Sequence, residues 1–168
     1  MTIGVMASQR QLIIMRHAKA GELPGGPDIE RALRPRGRRN AESAGAWLAH
    51  REVVPDLVLC SRATRARQTW QYVSEGLPRQ PEVVADPRLY DADADELLLI
   101  FGETEPEITT MMYVGHNPAA AEVTEMLVAE SVPFPTSAIA VIGLSADWND
   151  IEAGAGELIA SWTPKPLA

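Results

Sequence analysis

The sequence predicts an α/β sandwich, with a mainly parallel central sheet and helices covering both faces. Two observations carry this expectation. Short apolar runs alternate along the chain with longer segments whose apolar residues recur at i, i+3, i+4 and i+7. Three of the apolar runs also end abruptly in polar residues, two of them at the start of a helix. The order reads β-α-β-α-β-α-β-α-β-β, without internal repeats or low-complexity segments. Such alternation yields three layers, α/β/α.

The first strand is the run Leu12 to Met15, which stops at Arg16-His17. A Gly/Pro-rich loop, Gly21 to Pro27, follows and is expected to shape the rim of a site. Pro35 and Gly37 then lead into a helix from about Arg36 to His50, with Ala41, Ala44, Gly45 and Leu48 on its apolar face. Leu57 to Cys60 is the second strand. Ser61 reads as the N-cap of a helix from about Arg62 to Ser74 that packs through Ala66, Thr69, Trp70 and Val73. Gly76 and Pro78 end it, and a short strand lies near Glu82 to Ala85. After the irregular stretch Asp86 to Asp91, Asp93 and Glu96 form a capping box. The helix they open turns Ala94, Leu97, Leu98 and Phe101 inward. Thr109 to Val114 is the next strand, closed by Gly115-His116-Asn117-Pro118. Asn117 reads as an N-cap and Pro118 as the first helical residue. Their helix buries Ala120, Val123, Thr124, Leu127 and Val128. Pro133 and Pro135 break the pattern before two last strands, Ala138 to Leu144 and Glu157 to Trp162.

The chain of 168 residues suits one domain spanning 1–168, with loose tails over 1–10 and 164–168. No apolar run nears the ~20 residues that cross a membrane, and no signal peptide opens the chain. The single cysteine, Cys60, ends an apolar run and favours a cytoplasmic setting. A net charge of −8 argues against general nucleic-acid binding. Yet five arginines fall between Arg31 and Arg39, and three between Arg62 and Arg67. Local arginines in an acidic protein point to specific anion contacts.

If the strands are parallel, Arg16-His17, Ser61 to Arg65 and His116-Asn117 share one sheet edge, where α/β ligand sites lie. Two imidazoles, several guanidiniums and two helix starts at one place suit a phosphate. A zinc site from His17, His116 and Cys60 fits no structural zinc spacing, so neither metal nor cofactor is expected.

These residues also carry a resemblance. The Arg16-His17-Ala18 turn, the stretch SRATRARQT from Ser61 to Thr69 and the turn GHNP from Gly115 to Pro118 resemble the histidine phosphatase superfamily, which includes the phosphoglycerate mutases. RHAKA at Arg16 to Ala20, Asp28 with Arg31 and Leu33, PRGRRNA at Pro35 to Ala41, and LYDADADELL at Leu89 to Leu98 follow the pattern of SixA-type phosphohistidine phosphatases. The resemblance implies a phosphoglycerate mutase-like fold. It implies His17 as the nucleophile that becomes phosphohistidine, Arg16 and Arg65 as phosphate-binding groups, and His116 as a second histidine donating to a phosphate oxygen.

His17 must be neutral to attack, and flanking guanidiniums favour that form. The glutamate-bearing segment and longer insertions of the mutase branch have no clear counterpart. Asp91 is the nearest candidate for a general acid; its plainer reading is a loop carboxylate near a helix start. Asp28 and Arg31 read as an ion pair holding the loop, with a pair at the edge of the site as the alternative. Arg62 is either a solvent-facing arginine or a supplementary phosphate contact, Arg67 a surface residue, and Asn117 a cap. The expected function is a phosphatase with a phosphohistidine intermediate, acting on a phosphohistidine protein. A phosphatase for small phosphate esters and a non-catalytic phosphate-binding module are the alternatives.

Overall fold

The computed structural model describes residues 9–165. Of the tails expected over 1–10 and 164–168, residues 1–8 and 166–168 lie outside the described residues. The elements in chain order are β1 (Arg10–Arg16), α1 (Pro35–His50), β2 (Leu57–Cys60), α2 (Thr64–Ser74), β3 (Glu82–Ala85), α3 (Ala94–Gly102), β4 (Thr110–Gly115), α4 (Ala119–Val128), β5 (Ile139–Leu144) and β6 (Gly156–Trp162). Short 3₁₀ turns lie at Asp28–Glu30, Pro87–Leu89 and Trp148–Asp150. The expected tail ends earlier than the sequence suggested, because Arg10 already belongs to β1. Its buried guanidinium reaches Asp147 at 2.8 Å and the Pro106 carbonyl at 2.9 Å.

One sheet carries all six strands in the order β3-β2-β4-β1-β5-β6. β3, β2, β4 and β1 run parallel to one another, while β5 pairs antiparallel with both β1 and β6. The central strands are continuous apolar runs because helices cover both faces. Leu12 and Ile14 point to one core with α3 and α4, whereas Ile13 and Met15 point to the other with α1 and α2. The expected three-layer sandwich with a mainly parallel sheet is the observed fold.

Helix faces follow their 3.6-residue period. Ala41, Ala44, Gly45 and Leu48 of α1 are buried, as are Ala66, Thr69, Trp70 and Val73 of α2. In α3 the buried residue beside Leu97 and Phe101 is Ile100, and Leu98 is only partly covered. Val128 at the end of α4 is likewise only partly buried. Trp148, which the strand and helix periods do not reveal, is almost wholly buried and donates its indole N–H to the Ile108 carbonyl at 2.7 Å.

Two expected caps differ. The cap position of α2 is Ala63, not Ser61, since Ser61 Oγ is engaged elsewhere. Pro118 occupies the cap position of α4 rather than its first turn, although Asn117 Oδ1 still accepts from the Ala121 N–H at 3.2 Å.

α1 and α2 approach closely at Gly45, where a Cβ would collide with the Val73 carbonyl. Gly45→Ala must therefore push the helices apart. Overpacking of this kind costs about 1–3 kcal/mol. Chemical denaturation should show a lower midpoint with an unchanged slope; an unchanged midpoint would mean that the interface yields freely.

Candidate active site

The hydrogen-bond register of the sheet assembles the site. Arg16 pairs with Gly115 across β1 and β4, and Cys60 pairs with Val114 across β2 and β4. The next residues along these strands, His17, His116 and Ser61, therefore emerge side by side at the carboxyl edge. The His17 N–H donates to the Gly115 carbonyl at 2.8 Å, and the Ser61 N–H to the Val114 carbonyl at 3.0 Å. Gly115 has no room for a side chain, because the Tyr113 hydroxyl lies where its Cβ would be. That hydroxyl accepts from the His116 N–H at 3.2 Å and so steadies the second histidine.

A polar cavity of about 400 Å³ opens here, and Arg16, His17, Arg65 and His116 all line it. Arg65 is buried although it lies in the first turn of α2. The helix period places it beside Ala66 and Thr69 on the inward side, and Thr69 Oγ1 accepts from the Ala18 N–H at 2.9 Å, tying α2 to the histidine turn.

The two imidazoles have assigned tautomers. His17 Nδ1 lies 2.8 Å from the Ala18 carbonyl, which only accepts, so Nδ1 carries the proton. Nε2 is then a lone pair, and no described residue donates to it. His116 Nδ1 faces Arg65 Nη2 at 3.5 Å, and a guanidinium only donates. The proton of His116 therefore sits on Nε2 and is given to Ser61 Oγ at 2.8 Å. Ser61 Oγ also accepts from the Ala63 N–H at 3.2 Å, which leaves its own hydrogen unused.

Burial is the main reason that the His17 imidazole is pushed down to about 3; His116, Arg65 and Arg16 add to the effect and the Ala18 hydrogen bond opposes it. Burial, followed by the charge of Arg65, lowers His116 to about 4. The two rings lie tilted at 59° to one another, with centroids 5.3 Å apart.

Two arginines hold donors in reserve. Arg16 donates Nη1 to the Phe134 carbonyl at 3.1 Å, while its buried Nε has no partner. Arg65 Nε is also buried and unpartnered. A buried donor without a partner costs roughly 1–3 kcal/mol, and an anion between these two side chains would relieve it.

Asp28 does more than the sequence suggested. It does pair with Arg31, Nε to Oδ1 at 2.9 Å. Its other oxygen accepts from Arg65 Nη2 at 3.0 Å and from the Tyr90 hydroxyl, and its carbonyl accepts from Arg65 Nη1 at 2.9 Å. Hydrogen bonds from Tyr90, Arg65 and Arg31 hold its carboxyl well below the usual range. Asp28 thus fixes the plane of the Arg65 guanidinium. Tyr90, whose proton the same bond holds more tightly, lines the cavity edge-on to His116 with centroids 5.6 Å apart.

Asp91 lies at the exposed rim of the cavity. Asn117 lines it too, but both ends of its amide are used, Nδ2 donating to the Phe134 carbonyl at 2.9 Å. Arg62 and Arg67 are exposed and do not line the cavity, so a phosphate contact from Arg62 is not part of this geometry. Sequence reasoning missed Tyr90, Lys19 and Thr136 as lining residues. Tyr90 had a signal, its place beside Asp91; Thr136, in a Pro-rich connection, had none. Among the described residues, no three His, Cys, Asp or Glu side chains are grouped to hold a metal. Cys60 is a buried free thiol in the α1/α2 core, pushed up to about 12 by burial.

The model of the histidine phosphatase superfamily (branch 1) matches residues 12–112, and the chain belongs to that superfamily. The matched span includes Arg16, His17, Asp28 and Arg65, and His116 follows just beyond it. An uncharacterized protein of Mycobacterium tuberculosis is 37% identical over 163 residues, covering 90% of this chain and 100% of its own. Among solved structures, the protein histidine phosphatase SixA complexed with tungstate is similar with a TM-score of 0.77 at 27% identity, over 90% of this chain and 95% of that one. A Nakamurella multipartitia protein, provisionally assigned as a phosphohistidine phosphatase SixA, is similar with a TM-score of 0.84 at 29% identity, over 94% and 98% of the two chains. Family and neighbours support a phosphatase on a phosphoglycerate mutase-like fold. No helix among the described residues is long and apolar enough to cross a membrane.

Both histidine values lie below the ~6.5 of an unfolded imidazole. As pH falls, the unfolded chain takes up these protons first, so stability declines below ~6.5 and rises again with increasing pH across the same window. Nitrogen-15 NMR at about pH 5.5 should find both rings neutral, with Nδ1–H on His17 and Nε2–H on His116. A titration midpoint near 6.5 for either ring in the free protein would contradict the assignment.

Proposed function

We propose that the protein is a phosphatase that works through a phosphohistidine on His17, and that its substrate is phosphohistidine on a protein. The observation that carries this reading is His17 Nε2: an unprotonated, unpartnered imidazole nitrogen in a cavity that Arg16 and Arg65 line. Burial, with the cationic neighbours adding to it, keeps the ring neutral, so the lone pair is available near neutral pH.

His17 Nε2 attacks phosphorus, and the bond from phosphorus to the leaving group breaks in line. The leaving group departs with its electron pair and takes a proton from solvent or from an acid at the rim. Water then attacks the phosphoryl group, the P–N bond to His17 breaks, and the neutral imidazole and inorganic phosphate are restored. Arg16 and Arg65 hold the equatorial oxygens, where their donors are worth most as charge spreads in the transition state. Asp28 is a positioning residue for Arg65. For His116 to donate to a phosphate oxygen through Nδ1, its proton must sit there. Ser61 permits this, because its unused hydrogen can turn to Nε2 of the other tautomer. Neither step calls on a metal or cofactor.

The leaving group selects the substrate class. An imidazole has a pKa of about 6.5 and leaves with a proton from water near neutral pH. An alkoxide needs a well-placed general acid. Asp91, exposed at the rim, is the acid candidate. It is also the observation that favours the second reading, a phosphatase for small phosphate esters. A free Cys60 thiol accords with a cytoplasmic setting.

His17→Ala should abolish turnover with the circular dichroism spectrum unchanged, and labelled phosphate trapped on the wild type should be acid-labile and base-stable. A folded His17→Ala protein that keeps its activity, or acid-stable label, would point to another nucleophile. Values of kcat/KM for a phosphohistidine protein and an aryl phosphate should exceed that for an alkyl phosphate, and Asp91→Asn should slow the alkyl ester most. If the wild type prefers the alkyl ester, the small-ester reading takes over.

A further inference from the structure

The helical layers carry opposite charge. α1 and α2 hold five arginines and one glutamate, Glu42. α3 and α4 hold Asp95, Glu96, Glu122 and Glu125 and no lysine or arginine. The two pairs lie on opposite faces of the sheet, so a molecule of net charge −8 presents a cationic side. Formal sequence charge alone does not reveal this polarity; the topology does.

The cationic side reaches the cavity. Lys19 lines it, and α1 begins against Lys19, since a Cβ on Gly37 would collide with the Lys19 carbonyl. The first turn of α2 faces a second groove of about 480 Å³, lined by Ile29, Glu30, Arg62, Thr64, Arg67 and Ala85. This groove is not the catalytic cavity. Only the 3₁₀ turn Asp28–Glu30 with Arg31 separates the two: Asp28 and Arg31 line the cavity, Ile29 and Glu30 the groove.

Arg62 and Arg67 have no carboxylate within ion-pair distance among the described residues, although Glu30 lines the same groove. Arg67 is held in place, its Nε donating to the Arg62 carbonyl at 3.0 Å and its Nη2 to Thr64 Oγ1 at 3.4 Å. Of the other exposed arginines, Arg79 has Asp56 and Arg88 has Asp86 and Glu103, whereas Arg34, Arg36, Arg38, Arg39 and Arg51 also lack an ion pair among the described residues; what sets Arg62 and Arg67 apart is that they line a groove next to the cavity. Two cations left unpaired beside the cavity of an acidic protein are available to a partner.

We propose that the Arg62–Arg67 groove docks an acidic segment flanking the phosphohistidine of the protein substrate. This rests on the phosphohistidine reading and deepens it by naming the partner's chemistry. The cavity grips the phosphoryl group, which every substrate shares. The groove reads carboxylates next to it, and Ile29 supplies an apolar contact. Opposite charge on the two layers orients the encounter, because an acidic partner is repelled from α3 and α4 and drawn to α1 and α2. Free phosphate esters lack a flanking segment and gain nothing from the groove.

The test uses two phosphohistidine peptides of equal length, with glutamate or with lysine flanks, and an aryl phosphate. Wild type should favour the glutamate peptide, and the preference should shrink as salt rises. Arg62→Glu with Arg67→Glu should lower kcat/KM for that peptide by roughly fivefold or more, leave the aryl phosphate unchanged and remove the preference. Arg67 also braces the helix start, so Arg62→Glu alone, which loses no hydrogen bond, should show the same trend. Equal turnover of both peptides by wild type overturns the groove proposal and leaves the phosphohistidine reading intact. So does an equal loss on peptide and aryl phosphate, which would mark a structural effect. Failure on both peptides with rapid hydrolysis of the aryl phosphate overturns both.

Discussion

The structure depends on β4 being hydrogen-bonded on both sides in fixed register. β1 and β2 never touch in the sheet, so their polar ends meet only because both align on β4. A slip of one residue would turn Ile13 and Met15 toward the wrong core and carry His17 away from His116. Because burial sets the register on both faces, the same apolar contacts that fold the chain also place the histidines. Gly115, where the Tyr113 hydroxyl excludes a side chain, leaves that hydroxyl room to accept from the His116 N–H.

Placing cations under cover has a cost that the site answers in two ways. Arg65 is buried against Asp28, whose carbonyl and carboxylate accept one hydrogen bond each from it, while the carboxylate also accepts from Arg31 and Tyr90. That internal anion orients the guanidinium but leaves Nε without a partner. Arg16 is anchored by one bond to the Phe134 carbonyl and is otherwise unspent. The result is a cavity already organised for negative charge, in which donors need not reorganise when a phosphoryl group arrives. The same field explains the histidines. Desolvation and neighbouring guanidiniums act in one direction, toward neutral rings. On the proposed function, electrostatic pre-organisation for a phosphoryl group and activation of His17 as nucleophile would be one arrangement.

Most of the fold was legible in the sequence because the helices obey a 3.6-residue period and the strands are short apolar runs. The face Ala66, Thr69, Trp70, Val73 is buried as read, and the three polar strand ends do meet. What escaped the sequence were contacts between residues far apart in the chain. Ser61 looked like a cap because its type and position before a helix fit one. Its hydroxyl instead lies 2.8 Å from a histidine 55 positions away. Asp28 looked like a local partner of Arg31, and it is, but local spacing says nothing of Arg65 or Tyr90. Arg10 was assigned to a tail because Asp147, which anchors it, is distant in sequence. Leu98 and Ile100 exchanged roles since a one-residue rotation of a short helix changes which side chain faces the sheet.

On the proposed function, a cavity complementary to phosphate oxygens would bind the product as well as the substrate, since inorganic phosphate would present the same oxygens to Arg16 and Arg65. Contacts that hold substrate and product alike do not raise turnover. Discrimination between substrates must therefore come from groups that meet the leaving-group side, which the product lacks. The residues available there are those at and beyond the rim: Lys19, Tyr90 and Asp91 around the opening, and Arg62 and Arg67 past the Asp28–Glu30 turn. Contacts from that outer ring are lost when the leaving group departs, so they strengthen substrate binding without retaining phosphate. The division follows from the topology. Strand ends, rigid and central, carry the groups common to every turnover, and the loops and helix starts around them carry the groups that distinguish one substrate from another.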